Sequence, residues 1–112
     1  MHIVFIDEGA PVDSIPDMTY FFKSHELRFM QGVIIFSDYS ESKKIVDCLQ
    51  GKGHVRCDLG LPGHIEIYQE QDPKQKILKA SAMHGLIFFI GSSSEILLIK
   101  ELFPETTKQL TI

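Results

Sequence analysis

The sequence predicts a three-layer α/β fold, in which a mixed and mainly parallel sheet of about five or six strands carries helices on both faces. A strand–turn–helix pattern occurs twice, in residues 30–49 and 83–102, at a constant offset and without a gap. Strands that feed helices through short polar turns are typical of parallel sheets. The chain has 112 residues, of which 44% are hydrophobic and 23% charged, and this suits one core. We therefore expect residues 1–112 to form a single domain.

The two copies of this pattern form a pseudo-repeat. Their apolar positions agree along most of the strand and the helix, so both copies predict the same local structure. An ancestral duplication and two similar solutions to one packing problem are both consistent with it. The identical pairs are Met30/Met83, Gly32/Gly85, Ile34/Ile87, Phe36/Phe89, Ser40/Ser93 and Leu49/Leu102.

The first strand and the first helix are predicted on either side of a loop. Residues 1–7 (MHIVFID) are an apolar run that predicts a buried strand. Residues 8–17 contain glycine and two prolines and predict a loop. Asp17 is suited to cap a helix that continues to residue 30, although the aromatic run 20–22 would also suit a strand. The apolar residues at helical spacing are Met18, Phe21, Phe22, Phe29 and Met30.

The middle of the chain predicts a strand, a helix and a strand pair. Residues 32–37 (GVIIFS) form the strand, and Ser40 is the expected cap of a helix over Glu41–Gln50. Residues 54–59 and 64–69 read as two strands separated by only four residues. Such a short connection predicts an antiparallel pair.

A third helix is predicted to begin at Asp72-Pro73, a cap residue followed by proline at the first helical position. Its lysines are expected to form a solvated face. The predicted inner face consists of Ile77, Leu78, Ala82 and Met83, and the predicted solvated lysines are Lys74, Lys76 and Lys79.

The last part of the chain predicts a strand, a helix and an edge strand. Residues 85–90 (GLIFFI) form the strand, and Ser92 with Glu95 has the spacing of a capping box for a helix over Ser93–Leu102. Residues 107–112 are expected to form a short edge strand.

Charge, hydropathy and cysteine content indicate which partners and which cellular compartment to expect. The net charge is −4 and the lysines are scattered, which argues against nucleic acid as a partner. No apolar run approaches the roughly 18–20 residues that span a bilayer. Cys48 and Cys57 lack the spacing of a disulfide framework, which favours a reduced, cytoplasmic protein.

Polar residues follow three of the predicted strands, and in an open α/β sheet ligands bind beyond the carboxyl ends of the strands. Backbone N–H groups and serine hydroxyls at a helix start suit a phosphate-bearing or nucleotide ligand. The competing interpretation is that the same groups only cap their helices. The candidate ligand-binding residues are Asp7, Glu8, Ser37, Asp38, Gly91, Ser92, Ser93 and Ser94.

Two metal hypotheses remain open beside this one. Carboxylates at Asp7, Glu8 and Asp38 could hold Mg²⁺ in a metal-dependent phosphodiesterase or phosphotransfer domain, unless they are only turn residues and caps. A zinc site would need Cys48 and ligands of residues 54–64 (His54, Cys57 and His64), but alternation along a strand places residues 54 and 57 on opposite faces. We therefore assign no metal, and the sequence leaves the cofactor unknown.

The helix over Ser93–Leu102 is too apolar around its circumference for a helix with one face in water. It contains Ile96, Leu97, Leu98 and Ile99 in succession. A homodimer or another protein partner on this helix is the expected explanation. The sequence thus favours a small cytosolic binding or regulatory protein that self-associates, and it leaves open whether the protein is an enzyme.

Overall fold

Strands and helices alternate along the chain in the computed structural model, which describes residues 2–27, 32–51, 65–83, 85–103 and 107–112. The strands are β1 (His2–Asp7), β2 (Gly32–Phe36), β3 (Ile65–Gln69), β4 (Leu86–Gly91) and β5 (Lys108–Thr111). The helices are α1 (Met18–Ser24), α2 (Tyr39–Leu49), α3 (Pro73–Ala82) and α4 (Ser93–Leu102), with a 3-10 turn at Val12–Ser14.

The strands form one sheet in the order β3-β2-β4-β1-β5, and every pairing between the described strands is parallel. The three-layer α/β class is therefore confirmed. The strands of the two pseudo-repeat copies, β2 and β4, are direct neighbours, and Gly32 pairs with Leu86. The predicted strand at 64–69 is present as β3, parallel to β2. The strand predicted at 54–59 lies outside the described residues.

The direction of each crossover decides which face a helix covers. From β1 to β2 to β3 the chain moves toward one edge of the sheet, and from β3 to β4 to β5 it moves toward the other. Right-handed crossovers place the helices of these two halves on opposite faces. The α1/α2 face covers alternate strand residues such as Ile34 and Phe88, and the α3/α4 face covers Phe5 and Phe89.

Helix α1 is shorter than its sequence predicted. Asp17 caps it as expected, accepting a hydrogen bond from the backbone N–H of Thr19 at 2.8 Å. The helix ends at Ser24, because Glu26 adopts a left-handed backbone conformation (φ 56°) that no α-helix accommodates. The apolar residues Phe29 and Met30 lie outside the described residues, and the aromatic run 20–22 is helical.

Two of the other three helix starts agree with the sequence, and one does not. Asp72 and Pro73 begin α3, and Ser92 with Glu95 forms the capping box of α4. In α2 the predicted cap Ser40 was wrong, because Asp38 accepts the hydrogen bond from the Ser40 N–H at 2.8 Å. The helix therefore begins two residues earlier than predicted, and Asp38 satisfies a backbone N–H group of its first turn.

The predicted inner face of α3 was right for Ile77 and Met83, which pack against the core, and wrong for Leu78 and Ala82. Lys76 and Ala80 are buried, whereas Leu78 is 55% exposed and Ala82 is exposed. Helix α3 is turned so that a lysine faces the sheet, and the reason lies in the partners of that lysine, described below.

The amino edge of the sheet contains one histidine with a shifted pKa. Burial, together with the positive charge of Lys108, lowers the pKa of His2 from its ordinary value of 6.5. The folded chain therefore binds fewer protons than the unfolded chain between the lowered pKa and 6.5, so protonation of His2 favours unfolding.

We expect stability to fall as the pH drops through about 6.5, and the variant His2→Gln to lose part of this dependence. The urea concentration at the unfolding midpoint, measured at pH 7.5 and 5.5 for the natural chain and for His2→Gln, tests this. An equal change in midpoint in the two chains would contradict it.

Candidate functional site at the carboxyl edge of the sheet

The predicted site residues of β1 and β4 meet at the carboxyl edge of the sheet. Asp7 pairs with Gly91 in the parallel register. The Ser93 hydroxyl donates to Asp7 Oδ2 at 3.0 Å, and the Gly9 N–H donates to Asp7 Oδ1 at 2.8 Å. Both carboxylate oxygens of Asp7 thus have protein partners, and they tie the β1 loop to the start of α4.

A buried lysine that the sequence placed in solvent connects β2 and β4 at this edge. Lys76 has an exposed fraction of 0%. Its Nζ donates to Ser37 Oγ at 2.8 Å, to the Ile90 carbonyl at 2.8 Å and to Glu95 Oε2 at 2.9 Å. It also lies 4.5 Å from the centre of the Phe89 ring. All three N–H groups of the ammonium are used, and one partner carries the opposite charge.

Two features of the chain make room for this ammonium. Lys76 is in the first turn of α3, which begins at the carboxyl edge, so its side chain reaches the ends of the strands. Gly91 leaves the space open: a Cβ there would lie 3.2 Å from Lys76 Nζ and 2.8 Å from the Phe89 ring. The sequence signal was available, because Lys76, Ala80 and Met83 share one helical stripe.

The serine-rich turn at the start of α4 is occupied by its own capping groups. Ser92 Oγ accepts from the Glu95 N–H at 3.3 Å, and Glu95 Oε1 accepts from the Ser92 N–H at 3.4 Å. The Ser92 and Ser94 hydroxyls lie 3.1 Å apart. A phosphate placed here would meet the carboxylates of Asp7 and Glu95. The capping interpretation of this turn is therefore favoured over a ligand site.

Two carboxylates of the magnesium hypothesis, Asp7 and Asp38, accept hydrogen bonds from groups of the protein itself. Asp38 caps α2, and Asp7 binds Ser93 and Gly9. Across the described ranges, no group of three or more histidine, cysteine, aspartate or glutamate residues is placed to hold a metal ion. Of the zinc candidates, Cys48 is buried in the core and disulfide-bonded, so it offers no thiolate to a metal, and the expectation of reduced cysteines was wrong. The other candidates fall in 54–64, outside the described residues.

A groove of about 510 Å³ opens between the loop after β1 and helix α2. Its apolar wall includes Val12 and Ile45, and its charged residues are Glu8, Asp13 and Lys44. A neighbouring hollow of about 390 Å³ shares Asp13 with it. The sequence predicted Glu8 as a site residue but not Asp13 or Lys44. No short-range sequence pattern indicates that the loop after β1 lies beside the second turn of α2.

The topology explains the position of this groove. Strands β1 and β2 continue into α1 and α2 on one face, but β4, which lies between them, continues into α4 on the opposite face. The groove therefore lies on the α1/α2 face beside the carboxyl end of β1, and the carboxyl ends of the strands are where open α/β sheets bind ligands.

Among the residues that the structure describes, no helix is long and apolar enough to cross a membrane. Comparisons with protein-family models, with curated protein sequences and with solved structures found no match for this chain, so its function has to be argued from its own residues.

Proposed function

We propose that the chain is a small cytosolic binding or regulatory protein that takes a phosphate-bearing or nucleotide ligand at the carboxyl edge of its sheet and associates with itself. The observation that carries the ligand part is the groove beside the carboxyl end of β1, bounded by the β1 loop and α2. Sites of this kind combine an apolar wall with a few polar groups that fix orientation.

An exposed cation, Lys44, favours the groove as the place for a phosphate, although the carboxylates of Glu8 and Asp13 also line it. Lys44 is exposed at the groove and can meet a phosphate without desolvation of a buried charge. Helices α2, α3 and α4 all begin at this edge, so the positive ends of their dipoles point toward it. The apolar wall, with Ala10, Val12 and Ile45, suits the ring of a nucleotide base.

The competing function, a metal-dependent phosphodiesterase or phosphotransfer domain, needs Asp7, Glu8 and Asp38 around one ion. The contacts of Asp7 and Asp38 instead stabilise a loop and a helix start. A binding role does not require three carboxylates around one ion, so it is the function that this geometry supports best.

We expect at least one phosphate ligand to raise the melting temperature of the chain, because a ligand that binds only the native state stabilises it. The panel contains inorganic phosphate and nucleoside mono-, di- and triphosphates at millimolar concentration. The variant Lys44→Glu should lose this stabilisation, since it replaces the cation at the groove by an anion.

The matched control is Ser94→Ala, which removes a hydroxyl of the serine-rich turn that contacts Ser92 and not the β1 loop. It should retain the ligand-induced shift. If Ser94→Ala abolishes the shift while Lys44→Glu keeps it, the ligand binds at the turn and the groove is excluded. No shift with any member of the panel would refute a phosphate ligand.

A further inference from the structure

Helix α2 ends at a disulfide that the proposed ligand site does not involve. Cys48, in the last turn of α2, is disulfide-bonded, and among the described residues no cysteine is free. The sequence contains one other cysteine, Cys57, so a disulfide within the chain can close only with it. The bond therefore joins the last turn of α2 to the connection that leads to β3.

The core around Cys48 does not depend on this bond. Cys48 is 4% exposed and belongs to the same buried cluster as Val46 and Leu49 of α2 and Phe36 of β2. These apolar contacts hold α2 on the sheet whether or not the sulfur is bonded. A free cysteine behaves as a small apolar residue and is among the residue types most often buried. Both redox forms of Cys48 therefore fit the same core.

The loop that the disulfide closes is short. It spans residues 48–57, and a cross-link stabilises a fold less when the loop that it closes is shorter. The chain is also larger than the small domains that need disulfides to fold, since its 112 residues bury apolar clusters on both faces of the sheet. We therefore expect the fold to survive reduction of the disulfide.

The last turn of α2 is the part of the helix that the bond can hold in place. The Gln50 N–H donates to the Val46 carbonyl at 3.0 Å, and the Gly51 N–H donates to the Cys48 carbonyl at 3.0 Å. Gly51 adopts a left-handed conformation (φ 71°), which ends the helix. Helix ends open more readily than helix centres, so a cross-link at Cys48 restrains a turn that otherwise frays.

We propose that the disulfide of Cys48 is a redox switch: the closed bond fixes the last turn of α2, and reduction by glutathione frees that turn while the rest of the fold stays intact. The proposal rests on the cytosolic placement in the proposed function. In a reducing compartment, a disulfide that the fold can lose is usually a redox-sensing one and not a structural cross-link.

The chemical step is thiol–disulfide exchange. The thiolate of one glutathione attacks the sulfur of Cys57, because the buried sulfur of Cys48 is closed to it. The S–S bond breaks, and the Cys48 sulfur leaves with the electron pair and takes a proton from solvent. A second glutathione then attacks the mixed disulfide, which leaves two protein thiols and one oxidised glutathione.

Glutathione buffers test the switch on the whole chain. When nearly all glutathione is reduced, the disulfide should open, and the chain should keep its native circular dichroism and its cooperative urea transition. Oxidised glutathione should close the bond again, and the intact mass after alkylation counts the free thiols in each buffer. A disulfide that stays closed in the native chain, or a chain that unfolds when it opens, would identify a structural cross-link and overturn the inference.

Hydrogen exchange locates the effect within α2. The amides of Gln50 and Gly51 should exchange roughly tenfold faster in the reduced chain, because their helical turn is released. The Ser42 amide, which donates to the Asp38 carbonyl at 3.0 Å in the first turn, is the internal control and should exchange equally in both forms.

The variant Cys57→Ser cannot form the bond and should exchange like the reduced chain at every ratio of reduced to oxidised glutathione. Equal rates at Gln50 and Gly51 in the two redox forms would show that the bond restrains nothing in α2, and the switch would be excluded. Because none of these measurements involves a ligand of the groove, their failure is distinct from a failure of the ligand panel.

Discussion

Replacing Glu95 with leucine should lower the free energy of unfolding by about 3–5 kcal/mol, the largest single effect we expect in this chain. The substitution leaves the Lys76 ammonium at 0% exposure with only neutral acceptors, Ser37 Oγ and the Ile90 carbonyl. An uncompensated charge cannot reach water from this position. The capping box of α4 is lost as well, because Glu95 Oε1 accepts from the Ser92 N–H.

The two partners of this ion pair are not equivalent. The Glu95 side chain is 15% exposed, whereas that of Lys76 is fully buried. Lys76→Met should therefore cost less than Glu95→Leu, because the remaining carboxylate can be hydrated. The double variant Lys76→Met/Glu95→Leu should recover much of the loss, since replacing a whole buried pair by apolar residues is often close to neutral.

Urea unfolding of the natural chain, the two single variants and the double variant gives the coupling energy of the pair. Glu95→Gln serves as the control that keeps an acceptor for the cap and removes only the charge, and it should lie between the natural chain and Glu95→Leu. A loss below about 1 kcal/mol for Glu95→Leu would show that the buried ammonium does not need its carboxylate.

Substituting Gly91 should destabilise the chain through the same ion pair. A Cβ at this position would lie 2.8 Å from the Phe89 ring, 3.2 Å from Lys76 Nζ and 3.4 Å from Glu95 Oε2. Even alanine must displace one of these groups, and valine adds two more methyl groups in the same space. We expect a loss of about 1–3 kcal/mol for Gly91→Ala and a larger one for Gly91→Val.

Gly9→Ala is the matched control, because its Cβ would meet only the end of the Asp7 side chain, at 3.2 Å. A flexible carboxylate in a partly exposed position can move aside, so the loss should stay within about 0.5 kcal/mol. Thermal and urea unfolding of Gly91→Ala, Gly91→Val and Gly9→Ala measure the three effects. Equal stability of Gly9→Ala and Gly91→Ala would mean that the space beside Lys76 is not filled as described.

Some elements of this chain follow from the sequence because their causes are local. The cap Asp72 and the proline after it begin α3, and Ser92 with Glu95 begins α4, as the residue spacing predicts. Each of these signals acts over three residues or fewer. The parallel arrangement of β2 and β4 also follows, since two strands that each feed a helix through a short turn are built into a sheet in the same direction.

The parts that sequence reasoning missed depend on residues that are distant along the chain. Lys76 is bonded to groups 39, 14 and 19 positions away, and no helical period reveals such partners. The apolar pattern of α3 placed Leu78 inward together with Ile77, but burial of a fully hydrogen-bonded ammonium beside Phe89 leaves Leu78 exposed while Ile77 still packs against the core. Likewise, the groove brings Lys44 to the β1 loop only after the sheet order is set.

The sequence by itself therefore determined the α/β class, most helix starts and the edge of the sheet at which polar groups gather, because periodicity and caps are short-range properties. The tertiary structure alone decided which of those polar groups form hydrogen bonds within the chain. Ser37, Asp38 and Ser92 satisfy donors of the chain itself, and the open space lies beside Lys44 instead. Hydrogen-bond satisfaction is a property of the packed chain, since a buried polar group can find a partner only where the fold brings one close.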